Sequence, residues 1–341
     1  MNYPLDLNIL WFLLVGVLLT GYAILDGFDL GTGMLLLRTK DDMQRRIMLN
    51  AIGPVWDGNE VWLVVGGGAL FAAFPHVYAT VFSGFYLALY LLLSALIFRA
   101  VAIEFRSREE GRKWRQFWDT AFCVSSFVIA LLLGVALGNI VVGIPIGADR
   151  EYTGGFFNLL NPLALVLGLT TVAMFYMHGA IYLSLKVEGE LLDKTKAWMK
   201  QGIGAFCVMF LLLSVATFFF APQMALSFAN KPWLIAIPIV GALIIANIPR
   251  EVHNGRFLLA FASSSGSIAA LMALFGLGIF PNIVPDIANI NSLTIYNAAS
   301  SQATLTIMTT IAICGMPFVI AYTIGIYWVF RGKVLIEELH Y

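Results

Sequence analysis

Nine stretches of the chain are apolar for long enough to cross a lipid bilayer, and most of the charged residues gather between them. The stretches are Ile9–Leu37, Ile52–Phe74, Val77–Ala100, Trp118–Val142, Asn161–Leu185, Gly202–Ala221, Trp233–Ile248, Phe257–Phe280 and Gln302–Phe330. A crossing helix needs about 20 such residues, whereas a barrel strand needs only about 9–11 alternating ones. The pattern therefore predicts nine transmembrane helices in an all-α integral membrane protein. The seventh run is the shortest and contains Pro238.

Basic residues give a second reading of the same topology. Arg38, Lys40, Arg45 and Arg46 lie between runs 1 and 2. Arg99, Arg106, Arg108, Arg112, Lys113 and Arg115 lie at or between runs 3 and 4. Lys186, Lys194, Lys196 and Lys200 separate runs 5 and 6, Arg250 and Arg256 separate runs 7 and 8, and Arg331 and Lys333 follow run 9. Eighteen of the 20 basic residues thus occupy alternate connections, leaving only Arg150 and Lys231 on the other side. The positive-inside rule places the N-terminus outside and the C-terminus in the cytoplasm, which requires an odd number of crossings.

Composition supports a membrane solvent. Apolar residues form 60% of the 341 positions and charged residues 12%, against about 45–50% and 25% in soluble domains. The net charge of zero gives no sign of nucleic-acid binding. The connections are too short for a separate soluble domain, so residues 1–341 read as one transmembrane domain. Met1 to Leu7 lacks a positive n-region and a cleavage site, so the first run is expected to be retained as a span. The longest outer loops, Gly143–Asn158 and Pro281–Ser301, read as turns and short interfacial segments. After run 1, Asp42 is expected to cap a short helix starting near Met43, with Arg45 and Arg46 near anionic headgroups.

Charged residues at the centre of a span cost on the order of 3 kcal/mol, so the few present are functional candidates. Asp26 and Asp29, three apart in run 1, share a helix face, as do Asp57 and Glu60 in run 2. Counted back from Arg38 at about 1.5 Å per residue, Asp26 lies roughly 18 Å and Asp29 roughly 14 Å inside the cytoplasmic end. Asp57 lies at a similar depth if the chain after Arg46 is helical. Two readings stand side by side. The acids form a proton-conducting or proton-buffering site fed from the cytoplasm, or they lock helices together, with Gly27, Gly31 and Gly33 allowing close approach.

Other chemistry is sparse. Of His76, His178, His253 and His340, only His178 falls well inside a run, and one buried histidine is more often a packed, hydrogen-bonded residue than a haem ligand. Cys123, Cys207 and Cys314 are isolated within apolar runs and have no metal-binding spacing. Gly66-Gly67-Gly68 and Ser263–Ser267 read as close-packing positions. No phosphate loop or nucleophile elbow is present in a suitable context.

The segments GYAILDGFDLGTGML, RRIMLNAIGPVWDGNEVWL, GGALFAAFPHVYATVFSGFYLAL, YTGGFFNLLNPLAL and SSQATLTIM resemble subunit II of cytochrome bd-type quinol oxidases, in order and from the first run to the last. The resemblance implies two four-helix bundles plus one extra helix, packed against a similarly folded subunit I in a bacterial cell membrane. It implies a complex that oxidises quinol, reduces dioxygen to water and generates proton motive force. Two b-type haems and one d-type haem would be bound by subunit I, leaving no cofactor or metal to assign to this chain. It implies a cytoplasmic proton pathway in which Asp57 holds protons at the subunit interface and Asp26 lies near the entrance. Asp29 and Glu60 match that route less directly, since some relatives carry an amide at the position of Glu60. Trp56, Asn59 and Trp62 belong to the supporting motif. The resemblance leaves room for a small single-helix subunit and for a structural quinone or lipid, and the Pro222–Pro232 loop is short beside some relatives. The alternatives are a proton-coupled transporter, which the lack of a clear internal repeat disfavours, and a scaffold with a groove for a lipid or a quinone tail.

Overall fold

The computed structural model describes residues 6–224 and 232–334. Lys231, His340 and most of the Pro222–Pro232 loop lie outside the described residues. Eleven helices account for most of the rest: α1 Leu7–Leu35, α2 Asp42–Ile52, α3 Trp56–Ala73, α4 Pro75–Gly84, α5 Tyr86–Phe105, α6 Arg112–Val142, α7 Pro162–Lys186, α8 Gly189–Phe220, α9 Ala236–His253, α10 Phe257–Ile279 and α11 Gln302–Val329. Among the described residues, eight helices are long and apolar enough to cross a membrane, or nine when the bent pair α3 and α4 counts as one span.

Two of the expected runs break where the local chemistry requires it. Gly53-Pro54 interrupts the second, so α2 ends at Ile52 and α3 begins afresh at Trp56. Proline offers no N–H and disfavours helix in the residue before it. The third run is two helices, because α4 ends at Gly84 and α5 begins after the non-helical Phe85; α4 itself starts with Pro75 in its first turn and lies 120° from α3. The crossing helix is α5, starting at Tyr86 rather than Val77. Elsewhere the helices outrun the apolar stretches. α6 begins at Arg112 and α8 at Gly189, so Lys194, Lys196 and Lys200 ride on a helix, not a loop.

The helix after run 1 is capped by Asp41, whose carboxylate accepts the Met43 N–H at 2.9 Å, and not by Asp42. Asp42 accepts instead from Arg106 (2.7 Å) and Arg115 (2.8 Å). Arg45 does not turn to the headgroups: its Nη1 lies 2.8 Å from Asp119, which also accepts from Arg106 Nε at 2.5 Å. These five residues tie α2, α6 and the end of α5 into one ionic network at the basic end.

α1 is the centre of the fold. From Asp26 to Leu35 every residue is buried, with α6 and α7 against it. Gly31 makes this possible. A Cβ there would stand 1.9 Å from the Phe175 carbonyl oxygen and 2.8 Å from Gly179 Cα, so the α1 and α7 backbones touch. Gly33 meets Ser126 of α6 in the same way. In the Gly66-Gly67-Gly68 run only Gly66 faces a neighbour, Leu19; a Cβ at Gly67 or Gly68 would meet open space within this chain. At the opposite end a short antiparallel pair, β1 Asn282–Val284 with β2 Leu293–Thr294, precedes α11. The Asp286 carboxylate joins the two long loops there by accepting N–H groups of Ile146, Ile290 and Asn291.

Candidate functional site

The acids of α1 meet a cation that the charge pattern had placed at a helix end. Arg99 lies within α5, six residues before its last residue, and is fully buried. Its guanidinium binds Asp26 with both terminal nitrogens, Nη1 lying 2.8 Å from Oδ2 and Nη2 contacting Oδ1. The same Nη1 stands 2.9 Å from Glu60 Oε1 of α3. Arg99 therefore joins three helices through a bidentate pair and a second carboxylate, the arrangement for which a planar guanidinium is suited.

Asp29, one turn further along α1, is also fully buried. One of its oxygens accepts the Asn59 Nδ2 at 2.7 Å, and the other has no partner among the described residues. Asn59 is fixed by Tyr327 of α11, whose hydroxyl donates to Oδ1 at 2.9 Å, and Nδ2 reaches the Leu25 carbonyl at 3.3 Å. The supporting tryptophans hold α3 in place. Trp56 is buried beside the α2–α3 break, and the Trp62 ring lies on Gly21, where a Cβ would come within 2.5 Å of it.

The structure brings Asp26 and Glu60 together on Arg99, with Asp29 one turn along α1, and leaves Asp57 at the chain surface. Asp57 lies in the first turn of α3, where the helix dipole favours a carboxylate, and Glu60 follows three residues later. Asp57 is exposed on the surface of the chain, the Glu60 side chain is 23% exposed, and Asp26 and Asp29 are at 0%. The acids thus descend from the subunit surface to its centre. Arg99 and Tyr327 are the members the sequence reading missed. The signal for Arg99 was present, because apolar residues continue past it to Ile103. Nothing local marked Tyr327, which is 268 residues from Asn59.

His178 does not fit a haem. Its Nε2 stands 3.0 Å from the Ile24 carbonyl, its Nδ1 2.7 Å from Ser264 Oγ, and its ring stacks on Phe261 at 4.8 Å. A carbonyl only accepts, so Nε2 carries the proton and Nδ1 takes the serine hydrogen. Both ring nitrogens are engaged, and the residue fastens α7 to α1 and α10.

A many-helix apolar fold with an enclosed arginine–carboxylate cluster defines a multi-pass membrane protein organised around intramembrane charge. The chain matches the family model for cytochrome bd terminal oxidase subunit II over residues 7–330. It is 39% identical to cytochrome bd-I ubiquinol oxidase subunit 2 of Escherichia coli strain K12, over 98% of this chain and 96% of that one. It is 31% identical to cytochrome bd ubiquinol oxidase subunit 2 of Bacillus subtilis, over 98% of each. Its fold is similar to a chain of the bd oxidase from Geobacillus thermodenitrificans, with a TM-score of 0.79, 18% identity and coverage of 96% and 99%. The chain belongs to the cytochrome bd terminal oxidase subunit II family. It is accordingly a multi-pass subunit of a bacterial inner-membrane oxidoreductase whose catalytic centres are in subunit I, a haem-containing complex. The transporter reading has no support in these relationships.

Proposed function

We propose that this chain gives the oxidase a proton route from the cytoplasm and holds subunit I in register while quinol is oxidised and dioxygen reduced to water. In this reading two b-type haems and one d-type haem are bound by subunit I. A small single-helix subunit and a structural quinone or lipid are further components this assembly would accommodate. The observation that carries the reading is the acid cluster itself. One buried guanidinium serves a cluster of three carboxyls: it contacts Asp26 and Glu60, and Asp29 lies one turn along α1. Two carboxyl charges are left without a buried counter-ion, and protons are the counter-ions that can come and go in such surroundings.

Each member has a distinct task. Arg99 holds Asp26 through both of its terminal nitrogens. Glu60 and Asp29 hold exchangeable protons, and Asn59 keeps Asp29 aimed at the cluster. Asp57 stands on an otherwise apolar surface, with Val61 and Val64 exposed one and two turns on. Beyond the α3 dipole, a carboxyl there draws on polar groups or water supplied from outside the chain, and the interface with subunit I is where these would lie. Proton consumption at the oxygen-reducing haem then draws on Asp57, and Glu60 refills it.

The test is Asp57→Asn in the complex co-expressed with subunit I. Haem absorption and subunit ratio are read first, then oxygen consumption with quinol. The expected result is a normal haem spectrum with turnover lowered by at least tenfold. Wild-type turnover in a fully assembled variant removes Asp57 from the route.

A further inference from the structure

Between α9 and α10, away from the acid cluster, the surface carries an open groove of about 510 Å³. Its walls are Val240, Leu243 and Ile244 on one helix and Leu259, Ala262 and Gly266 on the other. Asn247 donates to Ser263 Oγ across it at 2.9 Å. From Val240 to Glu251 the groove follows about three turns of helix, roughly 16 Å, about one leaflet's share of the hydrocarbon core.

The basic end of this groove is built differently. Glu251 lines it, yet its side chain is only 5% exposed. Its Oε2 has no hydrogen-bond donor among the described residues. Two cations pair with it at ion-pair distance but beyond hydrogen-bond length: Arg256 Nη1 stands 3.9 Å from Oε2, and Arg250 Nε 4.0 Å from Oε1. Both arginine side chains are extended outward, at 61% and 71% exposure. A carboxylate oxygen withheld from water calls for a donor, and two outward guanidiniums at the bilayer surface call for an anion.

We propose that this groove binds an ethanolamine phospholipid of the cytoplasmic leaflet, its ammonium on Glu251, its phosphate between Arg250 and Arg256, and one acyl chain along α9 and α10. The headgroup chemistry selects this occupant. A trimethylated choline headgroup has no N–H to give Oε2. A quinone ring offers only acceptors. A glycerol headgroup offers hydroxyl donors but no positive charge to meet the carboxylate.

The experiment uses the intact oxidase complex, delipidated and then returned to nanodiscs of phosphatidylethanolamine, phosphatidylglycerol or phosphatidylcholine, with retained lipid counted by native mass spectrometry. Wild-type complex should retain one phosphatidylethanolamine tightly and the other two lipids at least about tenfold less, the factor expected for losing one hydrogen bond to a charged group. Glu251→Gln should erase that preference, and Arg250→Ala with Arg256→Ala should weaken retention of all phospholipids. Ala262→Phe, which fills the groove and leaves the headgroup residues untouched, should abolish retention without altering haem content. Equal retention of the three lipids, or retention unchanged in both Glu251→Gln and Ala262→Phe, overturns the assignment. If Glu251→Gln fails to assemble, the Ala262→Phe result and the wild-type lipid ranking decide the question.

Discussion

Replacing Arg99 with methionine should do more damage than its single positive charge suggests. Arg99 is at 0% exposure and contacts two carboxylates, Asp26 and Glu60. Removing one partner of a buried ion pair costs about 3–5 kcal/mol, because the remaining charge is stranded in a low dielectric. Here two acids are stranded, so the upper part of that range applies, and each 1.4 kcal/mol is a factor of ten in an equilibrium. The assay is the half-life of the purified complex at a fixed elevated temperature, read from haem absorption and size-exclusion profile. Arg99→Met should shorten it by about a hundredfold or more. The double variant Arg99→Met with Asp26→Leu removes both members of the bidentate pair and should recover most of the loss. An Arg99→Met complex as durable as wild type would refute the reasoning, as would a double variant no better than the single one.

Two further outcomes follow from the packing and the basic end. Gly31→Ala would put a methyl group 1.9 Å from the Phe175 carbonyl oxygen, a backbone atom that cannot swing away. Since α1 and α7 must part to admit it, the yield of assembled complex should fall severely. Asp42 titrates outside the spans. Burial alone would raise its pKa, but the hydrogen bonds and charges of Arg106 and Arg115 outweigh it and hold the carboxyl below its usual range. A folded-state pKa below the unfolded one means that its stabilising effect is complete above about pH 4 and is lost as the pH falls further. Stability measured from pH 6 down to pH 3 should therefore drop less steeply in Asp42→Asn than in wild type, and parallel curves would contradict the role given to this pair.

The helices were legible because the bilayer imposes a length that apolar runs either meet or miss, and because basic residues mark one face of the membrane. Run 9 and helix α11 share their first residue, Gln302, and their ends differ by one residue. Legibility failed where a long apolar run held a turn, as at Phe85 between α4 and α5, since hydrophobicity cannot distinguish one bent path from one straight helix. It failed also where helices outran their apolar stretches, as in α6 and α8, since soluble helix and loop look alike in hydropathy. At the site, helical spacing found Asp26, Asp29 and Glu60 because neighbours on one face are fixed by the helix repeat. Spacing also grouped Asp57 with them. Asp57 and Glu60 both lie on α3, but Glu60 reaches Arg99 while Asp57, at the helix start, stays exposed on this chain. Arg99 and Tyr327 reach the cluster from helices distant in sequence, and only the assembled packing brings them there.

The claim that matters most is that the buried acids around Arg99 move protons as well as join helices, and Glu60 is the member best placed to separate the two. Glu60→Gln keeps the size and polarity of the side chain and leaves the Asp26–Arg99 pair intact. The direct measurement is proton uptake from the cytoplasmic side by oxidase complexes in vesicles after a pulse of dioxygen, alongside thermal stability. The account predicts uptake slowed by at least tenfold with haem content and stability near wild type, and uptake at the wild-type rate would contradict it.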